Sequence, residues 1–353
     1  MVRKHNSTES NRIKIDLKNS SNLVNYSIIF MATVVLVYVL KTFVSFIRPL
    51  VFAILLAILF APLIQYSKKF KIPSYLTLIV IVLVFFTIFY FLTSLVVSEG
   101  QEIVKNLPVY QSKLNMGFES LVSNFKHFGA ELKLTDFINL QNLNKFLTPI
   151  FQTTKNILTE ILLVIIFLIF IVPFYNSLDT RLAMLLDKKN KNKFQKTLIQ
   201  TEQSVRKYLF TKTIISLGTG IFSGFLIYFF GSDFAVSLAV IIFIFNYIPN
   251  IGSIIAVGLV SILLAFELGF TLPFWLLLIF LISIQMIFGN ILEPLFEGKT
   301  LELSPLIIIL SLFFWYWVWG IGGMVLAVPL TSIMKIIFEQ FNATKKYAKF
   351  MGA

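Results

Sequence analysis

Amide and carboxylate side chains interrupt the apolar stretches in the last third of the chain, and they are the residues best suited to bind a small solute. Asn246 and Asn250 flank a turn, and Gln285, Asn290 and Glu293 follow in the next apolar segment. An amide donates and accepts hydrogen bonds together, which suits a neutral solute rich in hydroxyl groups. Turns and helix ends also need such side chains, so capping is the alternative role. The sequence predicts a polar site here and leaves both roles open.

Glu293 is the acid best placed to carry an ion. It precedes Pro294 at the end of its apolar segment, and a carboxylate at a membrane boundary can bind a proton or a sodium ion. Asp233 and Glu267 fall at the two ends of another apolar stretch, where we expect them to cap helices that face water. Glu293 is therefore the predicted ion-coupling residue, and a structural or gating role is the alternative.

Three tryptophans alternate with other residues in one apolar run. Trp315, Trp317 and Trp319 follow each other at intervals of two, and at about 100° per residue they spread around a helix without forming one stripe. An aromatic belt at the outer membrane interface is one interpretation. Stacking on a ring-shaped solute is the other, and for that reason Trp315 joins the predicted substrate-binding residues.

Sequence patterns for catalysis and for metal binding are missing. The chain has no cysteine, and its two histidines lie in polar segments, so no metal constellation is present. Neither a Gly-x-Ser-x-Gly motif, nor a phosphate-binding Gly-x-x-x-x-Gly-Lys-Ser/Thr loop, nor a His-Glu-x-x-His motif occurs. We expect a protein that is not an enzyme, holds no cofactor, and draws any uphill transport from an ion gradient.

The elements that must position these residues are membrane helices. Of the 353 residues, 57% are hydrophobic and 13% are charged, which is no composition for a soluble globular protein. Apolar segments long enough to cross a hydrocarbon core of about 30 Å recur along the chain. They lie near residues 24–44, 50–66, 74–98, 157–175, 208–230 and 271–289. The predicted fold class is an all-α, polytopic helical membrane protein.

The charge pattern predicts the orientation of these helices. The net charge is +13, but the basic residues cluster beside the apolar segments and not on a separate polar domain, so we expect contacts with membrane lipids and none with nucleic acid. Basic groups precede the first span, follow the second, fill the stretch from 181 to 212 and close the chain. By the positive-inside rule these stretches are cytoplasmic, and so are both termini.

The first half of the chain divides into three parts. Residues 1–98 hold the N-terminal tail and three transmembrane helices, 99–156 form an extracytoplasmic helical insertion, and 157–207 hold a fourth transmembrane helix and a basic cytoplasmic amphipathic segment. The insertion is too short to bury all of its apolar side chains in a core of its own, so we expect contact with a second copy in a homo-oligomer. The apolar residues are Leu107, Phe118, Phe125 and Phe128.

The second half, residues 208–353, is predicted to be the transport core. The stretch 234–266 is broken at Asn246 to Gly252, and each arm of about 15 residues is shorter than a full span. We therefore expect a re-entrant hairpin that turns at Pro249, and we include Pro249 among the substrate-binding residues.

A second interrupted hairpin is predicted at 303–341. Ser304 is a good N-cap and Pro305 a good first helical residue, and a turn is expected at the glycines from 320 to 323. A straight helix, 271–289, lies between the two hairpins. Paired interrupted segments of this kind mark the binding site of a secondary transporter. The predicted hinge and packing residues are Gly252, Gly320, Gly322 and Gly323.

These motifs together resemble one family of bacterial membrane proteins. They are Phe245 to Gly252, Gly289-Asn290, Glu293-Pro294, Leu303-Ser304-Pro305, Trp319 to Met324 and Ala327 to Thr331. The chain is similar to the autoinducer-2 exporter family (AI-2E), also called the PerM-like permeases. The resemblance implies a permease of the bacterial inner (cytoplasmic) membrane, with members linked to export of the quorum-sensing signal autoinducer-2 and others described as sodium/proton antiporters.

The expected function is therefore secondary or facilitative transport of a small polar solute, with autoinducer-2 export first. A monovalent cation/proton antiporter is the alternative, and a membrane scaffold that transports nothing is a further one. Lys299 is the basic residue nearest in sequence to the predicted site residues, so an organic anion lacks a clear counter-charge. A neutral polyol-like solute or a small cation is favoured.

Overall fold

The computed structural model describes residues 24–25, 27–105, 109, 112, 159–174, 188–297 and 303–352. In these parts the chain is helical, and the one β-type pairing is an isolated bridge between Leu303 and Gly352. Six of the described helices are long and apolar enough to cross a membrane. The all-α, polytopic membrane fold is confirmed. Most of the insertion at 99–156, including the four apolar residues of the expected oligomer contact, lies outside the described residues.

The first two apolar segments are joined by a bend. Helix α1 (Ser27–Thr42) ends one residue before α2 (Val44–Lys69). Phe43 lies between them, yet its N–H donates to the Val39 carbonyl and its own carbonyl accepts from the Ile47 N–H. Helical hydrogen bonding therefore continues through the bend, which lies inside the apolar segment predicted at 24–44.

Helices α3 (Ser74–Lys105) and α4 (Thr159–Phe174) complete the described first half. Because α3 runs past residue 98, the boundary predicted there falls inside a helix. Buried apolar side chains of α2, α3 and α4 form one cluster, which includes Ala57, Leu78 and Leu168.

Helix α5 (Lys188–Phe229) is a single helix of 42 residues. At 1.5 Å per residue it is about 63 Å long, roughly twice the thickness of a hydrocarbon core. Neither glycine nor proline occurs between residues 188 and 217, so nothing ends the basic segment before the apolar span begins. The boundary predicted at residue 207 consequently lies within α5.

The first hairpin consists of α6 (Ala235–Phe245) and α7 (Ile251–Leu268). At its tip, Gly252 packs so closely against α6 that a Cβ atom there would lie 1.9 Å from the carbonyl oxygen of Phe245. Leu238 and Ile242 of α6 share a buried cluster with apolar residues of α5, α7 and α8, so the hairpin is packed along its length.

The tip of the first hairpin, residues 246–250, contains a strained turn. The Ile251 N–H donates to the Pro249 carbonyl at 2.6 Å, and Asn250 between them has φ 57° and ψ −54°. This is the geometry of a γ-turn with positive φ, which asparagine adopts more readily than most residues. At the base, Glu267 accepts from Ser232 Oγ at 2.5 Å and from the Asp233 N–H at 2.7 Å.

The helix after the first hairpin is not α-helical throughout. Helix α8 (Leu272–Gln285) passes into a π-helical segment, Met286–Leu292, and then into the short helix α9 (Glu293–Glu297). The helix predicted over 271–289 is present, but the structure makes its last residues π-helical from Met286 on, which was not predicted because wider π-helical turns carry no strong local sequence signal. Such segments occur frequently at functional sites.

The second hairpin is formed by α10 (Pro305–Gln340), whose helical path breaks at Gly320. As predicted, Ser304 caps its start, accepting a hydrogen bond of 3.4 Å from the Ile307 N–H. Gly320 has φ 65° and ψ −148°, a combination open to glycine and costly for other residues.

The chain reverses direction at this break. Trp315 Nε1 donates to Thr331 Oγ1 at 3.3 Å, whereas 16 residues of straight helix would separate the two by about 24 Å. A Cβ atom on Gly323 would lie 2.0 Å from the Trp315 carbonyl oxygen, so the arms are in close contact near the tip. The predicted hairpin within 303–341 is therefore present as a folded-back pair, followed by α11 (Lys345–Met351).

The tip of the first hairpin packs against the second hairpin. Ile248, which is 2% exposed, belongs to one buried cluster with Trp319 and Leu326 of α10 and Leu55 of α2. This cluster links the first-half helices to both hairpins.

Candidate functional site

One face of α5 carries polar side chains into the protein interior. Lys212, Ser216, Thr219 and Ser223 are spaced by four, three and four residues, so they lie on the same side of the helix. All four are buried. Buried hydroxyl and ammonium groups are costly unless they are paired or bind something, so this face is a candidate site.

Asn246 brings the tip of the first hairpin to this face. It is 3% exposed, and its Nδ2 donates to Ser216 Oγ at 3.3 Å and to Thr219 Oγ1 at 3.4 Å. Next to it, the Tyr247 hydroxyl donates to Thr213 Oγ1 at 2.9 Å. The hairpin tip is therefore joined to the middle of the apolar part of α5 by polar contacts.

Lys212 and Glu293 form a buried ion pair. Lys212 Nζ lies 2.5 Å from Glu293 Oε1, and their side chains are 3% and 16% exposed. Lys212 belongs to α5 and Glu293 to α9, and the two residues are 81 positions apart in sequence. Because their charges cancel, this end of the polar face carries no net charge. Burying the two ions is costly, and their mutual attraction has to offset that cost.

Gln285 adds an amide with free hydrogen-bonding capacity. It is 8% exposed, and neither its Oε1 nor its Nε2 has a hydrogen-bond partner among the described residues. Leu277, Leu281 and Gln285 are all buried at intervals of four, so the amide continues the face of α8 that packs on the core. Such an unpaired buried amide costs on the order of 1–3 kcal/mol.

A second polar cluster holds the break in α10. Arg48 of α2 donates through Nη1 to the Trp319 carbonyl at 2.7 Å and pairs through Nη2 with Glu160 of α4. A Cβ atom on Gly322 would lie 2.9 Å from Arg48 Cδ, so the arginine stem packs against the break. Trp319 Nε1 also donates to the Leu40 carbonyl at 3.0 Å. Helices α1 and α2 thus contact the second hairpin directly, and α4 is connected to it through Arg48.

Trp315 and Trp319 share one side of α10 and Trp317 points to another, so the three tryptophans form no single stripe, as predicted. Trp315 and Trp319 are buried, with their ring centroids 5.0 Å apart, while Trp317 is 57% exposed. Lys41 Nζ lies 4.2 Å from the Trp317 ring centroid, a cation–π contact with α1.

The structure brings only part of the predicted site together. Asn246 reaches the polar face of α5, and Glu293 reaches its end. Asn250 and Asn290 are exposed, and Pro249 is buried at the tip. Trp315 is covered by side chains of the apolar cluster that joins α2 to the hairpins. Stacking of Trp315 on a solute would therefore require that cluster to open.

Sequence reasoning missed the four polar residues on α5. Their spacing is a detectable signal, because polar residues at helical intervals inside an apolar span mark a buried face. Other threonines, serines and glycines in the same span make this spacing hard to recognise. The charge pairing was also missed, since Lys299 is near Glu293 in sequence but Lys212 is its partner in the structure.

No group of three or more acidic or histidine side chains that would hold a metal ion is found within the described parts of the chain. The site therefore consists of hydroxyl groups, amides and one ion pair. Such a set can exchange hydrogen bonds with a polar solute, and it offers a single carboxylate for an ion.

Comparisons with known proteins agree with this picture of a membrane transport core. The model of the AI-2E family transporters matches residues 28–343. A protein of Borreliella burgdorferi, provisionally named as a transport protein, is 30% identical over 330 residues, which cover 92% of this chain and 90% of the relative. The AI-2 transport protein TqsA of Escherichia coli K12 is 29% identical over 296 residues, covering 83% and 85%.

A further relative, from Haemophilus influenzae and likewise provisionally named as a transport protein, is 28% identical over 343 residues and covers 95% of this chain and 98% of its own length. These relatives carry the names of transport proteins and not of enzymes. The chain belongs to the AI-2E family of transporters and is a multi-pass membrane protein.

Proposed function

We propose that this protein is a secondary or facilitative transporter that exports a small, neutral, polar solute, and that autoinducer-2 is this solute. The observation that carries the proposal is the contact of Asn246 with Ser216 and Thr219, which forms a buried polar site inside an apolar transport core. The relative named as an AI-2 transport protein supports the choice of solute.

The first hairpin is proposed to be re-entrant. Ser216 and Thr219 lie 14 and 11 residues before residue 230, which corresponds to about 16 to 21 Å along α5. Asn246 contacts both, although α6 has only 11 residues. A hairpin that enters from the outer side and ends near mid-membrane fits these lengths. Its tip then lies against a cavity or against protein, as non-helical backbone at this depth requires.

A neutral solute is favoured by the charges around the site. Lys212, which is distant from these residues in sequence, places a cation at the site, but Glu293 neutralises it. The remaining groups are hydroxyls and amides, which exchange hydrogen bonds with a polyol without a net charge. An organic anion would have to compete with Glu293 for Lys212.

Flux measurements in proteoliposomes test the proposal. The purified protein is reconstituted, and the uptake of labelled autoinducer-2, of sodium with a pH dye, and of a labelled dicarboxylate is compared with that of empty liposomes. We expect autoinducer-2 flux above the empty control and no dicarboxylate flux. Dicarboxylate transport that survives Lys212→Met would contradict the neutral site.

Sodium or another monovalent cation in exchange for protons is the second candidate, and the buried Lys212–Glu293 pair favours it. A proton or a sodium ion that binds at Glu293 would displace the Lys212 ammonium group from the carboxylate. Glu293 can therefore exchange one cation partner for another. In that case Glu293→Gln abolishes cation-dependent proton movement. An exporter of a neutral solute retains its flux per amount of folded protein in Glu293→Gln but loses it in Asn246→Ala.

We further propose that the protein is a homo-oligomer in the bacterial inner membrane, with both termini cytoplasmic and no nucleic-acid partner. The basic clusters before the first span and after the last one support this orientation. Mass measurement in nanodiscs tests the oligomer, and a monomer would refute it. Protease protection of tags at the two termini tests the orientation.

A further inference from the structure

Gln285 and Ser223 are two buried polar side chains of the described core whose polar atoms take part in none of the contacts described above. Ser223 is fully buried, and its Oγ, like both polar atoms of the Gln285 amide, has no hydrogen-bond partner among the described residues. Neither side chain is needed to cap a helix, because each lies in or at the end of a long helix whose own backbone is bonded. Burying two such groups without hydrogen bonds destabilises the folded protein, and no hydrogen bond among the described residues offsets this cost.

The helix register places the two side chains at the same level. Helices α5 and α8 run antiparallel, since Lys212 meets Glu293 near one end and the rings of Phe230 and Phe280 are 6.3 Å apart near the other. Between these points, Phe288 contacts both Gly218 and Phe222.

Gln285, the last residue of α8, lies between Phe280 of α8 and Phe288 of the π-helical segment. It is therefore level with the part of α5 that follows Phe222 and precedes Phe230. Within this part, the buried residues are Ser223 and Ile227.

The chemistry of these groups defines the ligand they would bind. An amide offers a donor and an acceptor side by side, and a serine hydroxyl offers one more of each, which matches vicinal hydroxyl or carbonyl groups of a neutral solute. Lys212 and Glu293 form the ion pair of the site, and their charges neutralise each other. A charged ligand would lose its hydration without gaining a counter-charge.

We propose that Gln285 and Ser223 line a binding site for a neutral, hydroxyl-bearing solute between α5 and α8, one to two helical turns beyond the contact of Asn246 with Ser216 and Thr219. The proposal rests on the proposed transport function and adds the position and the class of the solute. The solute would supply the hydrogen-bond partners that this amide and this hydroxyl lack among the described residues.

Thermal stability separates this role from a structural one. Gln285→Leu removes an unpaired amide and keeps a similar volume, so we expect the unfolding temperature to stay the same or rise. Asn246→Leu is the matched control, since it removes an amide with two hydrogen bonds and should lower the unfolding temperature. If Gln285→Leu lowers it as much as Asn246→Leu does, the amide has a structural partner and the proposal fails.

Cysteine labelling tests the site without knowledge of the solute. The native chain has no cysteine, so Ser223→Cys and Gln285→Cys can be labelled selectively in membranes. Thiosulfonate reagents of similar size that carry a hydroxyethyl, an anionic or a cationic group serve as probes. The controls are Ile227→Cys and Leu281→Cys, one helical turn away on the same buried faces.

The site predicts that the hydroxyethyl reagent reacts with Ser223→Cys and Gln285→Cys about tenfold faster than with either control, because an apolar core excludes all three probes. It also predicts that the charged reagents react more slowly than the neutral one at these positions. Equal rates at site and control positions, or equal rates for charged and neutral probes, would overturn the proposal. If labelling is as expected but no autoinducer-2 flux is seen, the site stands and the choice of solute fails.

Discussion

Arg48 Nη1 donates a hydrogen bond of 2.7 Å to the carbonyl oxygen of Trp319, across 271 residues of sequence. Trp319 is the last residue before the break at Gly320, so its carbonyl belongs to the C-terminal end of the first arm of α10. The C-terminal end of a helix carries partial negative charge, which a guanidinium stabilises. Arg48 also pairs with Glu160, and it thereby connects α2, α4 and the second hairpin.

We predict that the planar fork of Arg48 is required and that its charge alone is insufficient. Arg48→Lys can keep one contact but not both, since a lysine presents one ammonium group in place of the fork. Loss of a charge-assisted hydrogen bond should reduce the free energy of unfolding by about 1–3 kcal/mol. Thermal unfolding of the purified variant measures this. Glu160→Gln leaves the bond to Trp319 intact and should cost less, and a greater loss in Glu160→Gln than in Arg48→Lys would contradict the interpretation.

The Lys212–Glu293 pair should behave as a buried ion pair in a double-mutant cycle. Lys212→Met and Glu293→Gln each leave one charge without its partner, at a cost of roughly 3–5 kcal/mol in stability. The double variant contains no uncompensated charge, so it should be more stable than either single variant. Unfolding curves of the four proteins give the coupling. Simple addition of the two losses would show that the pair is not coupled.

Because the first hairpin is closely packed at its tip, we predict that alanine has different effects at two glycines of α7. In Gly252→Ala the new methyl group would meet the Phe245 carbonyl at 1.9 Å, so the tip must open, and we expect a large loss of folded protein. Gly258→Ala is the matched control, because a Cβ atom there has no contact within 4 Å among the described residues. It should be neutral or stabilising by up to about 1 kcal/mol from helix propensity. Yields after size-exclusion chromatography and thermal unfolding provide the comparison, and equal behaviour of the two variants would refute the packing.

The two hairpin tips are predicted to be accessible from opposite sides of the membrane. Ile254, one turn into α7, and Ile321, next to the break in α10, are both exposed and can be changed to cysteine. In sealed vesicles of known orientation, an impermeant thiol reagent should label each cysteine from one side, and the sides should differ. Labelling of both positions from the same side under all conditions would exclude opposed hairpins.

The start and break of the second hairpin follow from local chemistry, and for that reason the sequence predicts them. Ser304 and Pro305 define a helix start without help from the rest of the fold, and the glycines after Trp319 allow a reversal that other residues disfavour. The turn around Pro249 is likewise local. These features depend on neighbours in sequence, which a reader of the sequence can see.

The remainder of the site depends on contacts between distant segments. Lys212 and Glu293 meet because α5 and α8 pack antiparallel, and Arg48 reaches Trp319 through the packing of α2 against α10. Neither pairing can be recognised from residues that are close in sequence. The π-helical segment and the bend at Phe43 also occur in sequences that otherwise look like ordinary helix.

The most direct test of the account is the flux of labelled autoinducer-2 through proteoliposomes that contain the wild-type protein, Asn246→Ala or Asn290→Ala. Asn246 is buried and bonded to α5, whereas Asn290 is exposed, so the same change is made once inside the proposed site and once outside it. We predict that Asn246→Ala lowers the flux by about tenfold or more, equivalent to some 1.4 kcal/mol, while Asn290→Ala stays near wild type. Equal flux in the two variants, or wild-type flux no higher than that of empty liposomes, would contradict it.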